Sequence, residues 1–167
     1  MIVGVPKETA PGERRVALVP ELVSKLTATG LQIYVQFGAG VEAGFEDKEY
    51  EGKGARLVSD VFDKVDVLLK VRPPTNDEIA KLREGSIFVG LLEPYTSEAQ
   101  IRLLSARKLT SFAMELMPRI ARAQPMDALS AMSMVAGYKA VLLAANRLPK
   151  FFPLLMTAAG TITPARV

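Results

Sequence analysis

A doubly wound α/β fold built on a mostly parallel sheet is predicted by the alternation in this 167-residue sequence. Short apolar runs recur with helix-length amphipathic segments between them, and from Ala55 onward the alternation becomes regular. The stretch Asp66 to Val71 is apolar throughout, as in a strand buried on both faces. Thr75 followed by Glu78 has the spacing of a capping box, which places a helix directly after that strand. Strands linked by helices in this way wind into a parallel sheet through right-handed crossovers, with helices on both faces.

Taken in order, Ile2 to Val5 is a β-branched strand closed by Pro6, and Lys7 to Arg15 is a charged loop broken by Pro11 and Gly12. Pro20 suits a first helical position, Leu22, Val23 and Leu26 recur on one helical face, and Gly30 ends the helix. Leu31 to Phe37 alternates as a strand. The glycine-rich stretch Phe37 to Phe45 spaces its glycines G-x-G-x-x-x-G, one residue too wide for a dinucleotide fingerprint, and reads as a tight turn. The charged segment after it carries no apolar face long enough to pack across a sheet.

Ala55 to Val58 reads as a brief strand, and Ser59 or Asp60 can cap a helical turn reaching Lys64. After the Asp66 to Val71 strand comes a helix from Thr75 to Arg83, then a strand over Ser86 to Leu92, a helix over Ser97 to Ala106 and a strand over Leu109 to Met114. Met126 to Leu148 has the period of one long helix, with Ala136, Gly137, Ala140, Ala144 and Ala145 as a small-residue flank. Leu154 to Thr163 follows, and Pro164 to Val167 reads as the approach to a further strand.

Composition removes several classes of function. The chain has no cysteine and no histidine, so disulfides, thiolate catalysis, cysteine zinc sites and every histidine-based triad are excluded. Chemistry here must rest on carboxylates, Lys, Arg, Tyr, hydroxyls or a cofactor; no metal is expected. A net charge of +3, with scattered basic residues, gives no nucleic-acid footprint. No continuous apolar run reaches the roughly 18 to 20 residues of a bilayer span, Val141 to Ala145 being cut short by Asn146 and Arg147. The opening MIVGVPKE lacks the basic-then-apolar profile of a secretory leader.

In wound sheets of this kind ligands sit beyond the carboxyl ends of the strands. That edge gathers Lys7 to Arg15, Gly38 to Gly44, Lys70 to Pro74, Leu92 to Tyr95 and Glu115 to Asp127. Arg15, Lys70, Arg72, Arg119 and Arg122 are its cations, which suit an anionic ligand or serve as surface charges. Lys70 stands apart, because a lysine ending an apolar strand is hard to account for as solvated covering. Gln124, Asp127 and Ser130 recur every third residue; the set can hold a carboxamide or ribose, and it can equally cap a helix.

The run MPRIARAQPMDALSAMSMVAGYKAV from Met117, with MTAAGTITPARV from Met156, resembles the opening portion of the alpha subunit of proton-translocating NAD(P) transhydrogenase. The opening VGVPKE and GERRVALVPE are similar both to that family and to alanine dehydrogenase. The resemblance implies a flavodoxin-like or Rossmann-like N-terminal domain over residues 1–125. Residues 126–167 would be a long linking helix and the lead-in to an absent NAD-binding domain, so that the sequence is a fragment inactive alone. It further implies a subunit that binds NAD(H) and passes hydride to NADP(H) on a partner, coupled to proton movement through membrane-embedded subunits. A homodimer, cytoplasmic and peripheral to the inner membrane, is implied with it.

By the same resemblance Arg119, Gln124 and Asp127 form the catalytic set and, with Ser130, hold the nicotinamide side of the cofactor. Arg15 and Lys70 match the substrate-carboxylate residues of alanine dehydrogenase and are the anion-binding candidates. That enzyme relies on a histidine where this chain has Leu92-Glu93, which counts against it; a non-catalytic assembly module is the other alternative. Ala131 and Met134 replace polar residues of the family pattern.

Overall fold

The computed structural model describes residues 1–166. Six strands form one sheet: β1 (Ile2–Val5), β2 (Gln32–Gln36), β3 (Arg56–Val58), β4 (Val67–Leu69), β5 (Ile87–Gly90) and β6 (Thr110–Ala113). All pairings are parallel and the order is β3-β2-β1-β4-β5-β6. This is the order of a Rossmann-type sheet and not of a flavodoxin-type one. The winding reverses direction between β1 and β4, where Val3 stands beside Val67 and Gly4 beside Leu68.

Strand alternation divides the core into two halves. On one face Leu68, Phe88 and Leu92 pack with Val61, Phe62, Val65, Ile79, Leu82 and Leu104. On the other Val3, Val5, Ile33 and Val35 pack with Leu18, Val23 and Tyr50. The first face is covered by α3 (Asn76–Lys81) and α4 (Glu98–Ala106), the second by α1 (Pro20–Thr27) and α2 (Asp47–Gly52). β1 fills its apolar run, and the later strands are shorter than theirs, because the flanking residues turn out of the ladder.

Three local expectations change. Ser59 to Lys64 makes turns in place of a helix: the Asp60 carboxylate accepts the Phe62 N–H at 2.9 Å, and the segment still buries Val61 and Phe62 against the sheet. Leu22 of α1 is exposed while Val23 is fully buried, so the helix is turned from the face the pattern suggested. The charged α2 does pack, through Tyr50 alone. Its fully buried ring sits against the glycine turn and its hydroxyl donates to the Leu18 carbonyl at 2.9 Å. Burial pushes that phenol up to about 12. The turn itself is as read, with Gly38 and Gly44 at φ +71 and +90.

Beyond the sheet, α5 (Ala128–Arg147) runs 20 residues and ends in a hairpin of β7 (Leu155–Thr157) and β8 (Gly160–Ile162). The helix starts later than its period suggested, because Pro125 and Met126 close a 3₁₀ segment, Ala121–Met126, and Asp127 becomes the cap. The expectation that no stretch matches a bilayer span also needs correction: by length and composition α5 is such a helix. Ser130, Ser133, Gly137 and Lys139 interrupt the apolar run without lowering its average enough. None of it is buried. Pro164 to Arg166 form no strand, and Val167 lies outside the described residues.

A β-carbon on Gly40 would stand 2.6 Å from the Tyr50 ring and 2.9 Å from the Phe45 carbonyl. Gly40→Ala is therefore expected to lower stability by about 1–3 kcal/mol in urea unfolding. Gly52→Ala, where a β-carbon meets nothing, is expected to stay within about 0.5 kcal/mol of the parent.

Candidate functional site

The point where the winding reverses is held by a buried charge cluster. Lys70 directly follows β4, is 4% exposed, and its Nζ lies 3.0 Å from Glu78 Oε1 of α3 and 3.3 Å from Glu8 Oε2 of the loop after β1. Glu8 Oε1 also accepts the Val71 N–H at 2.6 Å, and Glu78 Oε2 accepts the Thr75 N–H at 2.8 Å in the expected capping box. Lys70 follows Leu69 and precedes Val71, so alternation sends its side chain to the opposite face, toward α3.

The Leu69 and Val71 side holds a cleft of about 480 Å³. It is lined by Leu69, Lys70, Val71, Val89 and Leu91, with Arg15 on one wall and Met132 of α5 on another. Arg15 is gripped by Glu13, Nε donating to Oε1 at 2.7 Å and Nη2 to Oε2 at 2.6 Å, while Nη1 is in direct contact with Met132 Sδ. The guanidinium pulls the Glu13 carboxyl down to about 2 and is itself raised by that carboxylate. Arg15 and Lys70, expected together as anion ligands, both line this cleft, and each is already engaged by carboxylates. Burial also answers the puzzle of Lys70: it is an ion-paired core lysine.

The second cluster lies after β6. Arg119, Gln124 and Asp127 line one cavity of about 290 Å³ with Pro118, Ile120 and Ala121. The structure brings these three together because the 3₁₀ segment and the cap of α5 fold around a single corner. Ser130 stands behind them: its N–H and hydroxyl donate to Asp127 at 2.9 and 2.6 Å. Those bonds, with a smaller contribution from Arg119, hold the Asp127 carboxyl below the usual carboxylate range. Capping and ligand binding are therefore compatible roles, since Asp127 caps α5 while lining the cavity. Arg122 lines neither cavity. The corner offers a guanidinium donor, an amide that donates and accepts, and a carboxylate acceptor, the set a planar carboxamide requires.

Sequence reasoning missed Glu115. Its Oε1 accepts the Leu92 N–H at 2.9 Å and also the Glu93 N–H, and so fixes the loop after β5 with Glu93 at φ +48. Glu93 in turn pairs with Arg72 at 2.7 Å. A glutamate one residue past a strand looks like a solvated charge, and nothing in its spacing signals this grip.

The family model described as "Alanine dehydrogenase/PNT, N-terminal domain" matches residues 4–136. An NAD(P) transhydrogenase alpha-subunit polypeptide of Rhodospirillum rubrum is 43% identical, over all of this chain and 46% of its own length. A solved transhydrogenase from Sinorhizobium meliloti superposes with a TM-score of 0.92 at 44% identity, over 99% of this chain and 48% of its own. An L-alanine dehydrogenase structure superposes with a TM-score of 0.83 at 27% identity, over 98% and 46%. The chain spans about half the length of these relatives.

The Glu13 carboxyl, lowered to about 2, favours the folded state above the ordinary glutamate range and loses that contribution as pH falls toward 2. NMR titration of side-chain carboxyls is expected to show Glu13 still ionised at pH 3. The acid slope of stability between about pH 4.3 and 2 is expected to be shallower in Glu13→Gln.

Proposed function

Because the chain belongs to the alanine dehydrogenase/PNT N-terminal domain family, we propose that it is the N-terminal portion of the NAD(H)-side alpha subunit of a proton-translocating NAD(P) transhydrogenase. The observation that carries this reading is the corner of Arg119, Gln124 and Asp127 around one cavity. Arg119 would donate to a carboxamide oxygen, Gln124 would donate to or accept from the carboxamide, and Asp127, steadied by Ser130, would accept from its amide or from a ribose hydroxyl. NAD(H), when bound, supplies the hydride that is exchanged with NADP(H) on a partner subunit. The residues here bind and orient, and direct exchange between two nicotinamides demands orientation more than acid–base groups, in keeping with a chain that has no histidine.

Residues 1–125 form the N-terminal domain in this proposal, and 126–167 lead to the NAD-binding domain of the complete subunit. The exposed apolar side chains of α5 and the hairpin, among them Met134, Val135, Tyr138, Leu142 and Met156, support coverage by that domain and by a second copy in a homodimer. Membrane-embedded and NADP-binding subunits would complete the complex and hold it at the cytoplasmic face of the inner membrane. An alanine dehydrogenase reading is disfavoured by the engaged state of Arg15 and by Leu92-Glu93 standing where that enzyme has an acid–base histidine.

In the full-length protein, Asp127→Asn keeps a good helix cap and removes the charge. Calorimetry is expected to show its affinity for NADH reduced about tenfold, the loss of one charge-assisted hydrogen bond. Unchanged affinity, or pyruvate-dependent oxidation of NADH by the parent, would reject the reading.

A further inference from the structure

We propose that Glu13, acting through Arg15, is a positioning residue that sets the seat of α5 and with it the Asp127 corner. The inference rests on the nicotinamide reading of that corner. Arg15 and Met132 are 117 positions apart in the chain, and their contact joins the loop after β1 to the second turn of α5. Met132 lies two residues beyond Ser130 and five beyond Asp127 on the same helix.

Little else steadies the helix there. Its principal other contact with an element of the described chain is the short 3₁₀ turn Met114–Leu116, and from Ser133 onward its residues are exposed. A helix gripped near one end is free to tilt about that end, and a tilt of α5 carries its cap, Asp127, relative to Arg119 and Gln124.

Arg15 can brace the helix only because it is itself fixed. A long, unheld arginine side chain samples many rotamers. Glu13 removes that freedom by taking Nε and Nη2 in a two-bond fork. The same carboxylate accepts the N–H groups of Arg14 and Arg15 at 3.1 and 3.0 Å, which fastens the fork to its own loop. The remaining arm, Nη1, meets Met132 Sδ. A thioether is a weak acceptor, so this end of the brace acts by contact more than by attraction. Beneath it lies the cleft of about 480 Å³, which gives α5 room to settle toward the sheet if the brace slackens.

The experiment uses the full-length protein with two probes, NADH and ADP-ribose, the second lacking the nicotinamide. Glu13→Gln loosens the fork, and Met132→Ala shortens the other end of the brace. Both variants are expected to raise the Kd for NADH roughly tenfold while leaving that for ADP-ribose within about twofold, since small misplacements of positioning groups are felt at the site they orient. Met132→Leu, which restores the bulk, is expected to bind NADH as the parent does. A general loss of structure would weaken both probes together, and that result overturns the proposal. So does unchanged NADH affinity in both variants while Asp127→Asn weakens it, an outcome that leaves the nicotinamide reading standing. If Asp127→Asn also has no effect, the reading fails and the positioning role fails with it.

Discussion

One buried ammonium ties the carboxyl edge of this sheet together. Lys70 joins the loop after β1 through Glu8 and α3 through Glu78, across the place where a wound sheet parts its loops to make a crevice. Removing one partner from a buried ion pair typically costs about 3–5 kcal/mol, because the remaining charge is left in a poorly polarisable interior. Two carboxylates on one ammonium would leave an excess negative charge, and Glu8 moderates this by accepting the Val71 N–H as well. Loop, strand and helix are thus fixed at a common point before any ligand arrives.

Much of this architecture is legible in the residues, and the exceptions have physical reasons. The capping box at Thr75 and Glu78 can be read from spacing alone, because it is a local motif whose partners lie three residues apart. The second task of Glu78, on Lys70, cannot be read that way, since it depends on where α3 lands. Lys70 is recognisable as an uncommon strand residue, yet alternation by itself does not say that α3 would face it with a carboxylate. The segment from Ser59 to Lys64 carries the polar residues of a helix cap and the apolar residues of a core strip, and the core strip prevailed without a helix.

The candidate site follows the same division. Arg119, Gln124 and Asp127 stand out by their polarity between apolar runs, and the resemblance carried by MPRIARAQPMD proposes them together. They meet around one cavity where the 3₁₀ segment containing Pro125 gives way to α5, with Asp127 as the cap between the two. Glu115 is invisible in the sequence because its partners are main-chain N–H groups, which every residue of the loop offers alike. Interactions with backbone leave no complementary side chain to find.

The shared use of Glu78 has a dynamic consequence. A six-residue helix such as α3 is far below the length at which helices are stable alone, and would ordinarily fray from its first turn. Here that turn cannot open without withdrawing a carboxylate from a buried ammonium. The openings of α3 and of the loops after β1 and β4 are therefore coupled through that one ammonium, as in a single cooperative unit. The segment after β6 and the seat of α5 lie outside that unit and are held separately, by Glu115 and by Arg15.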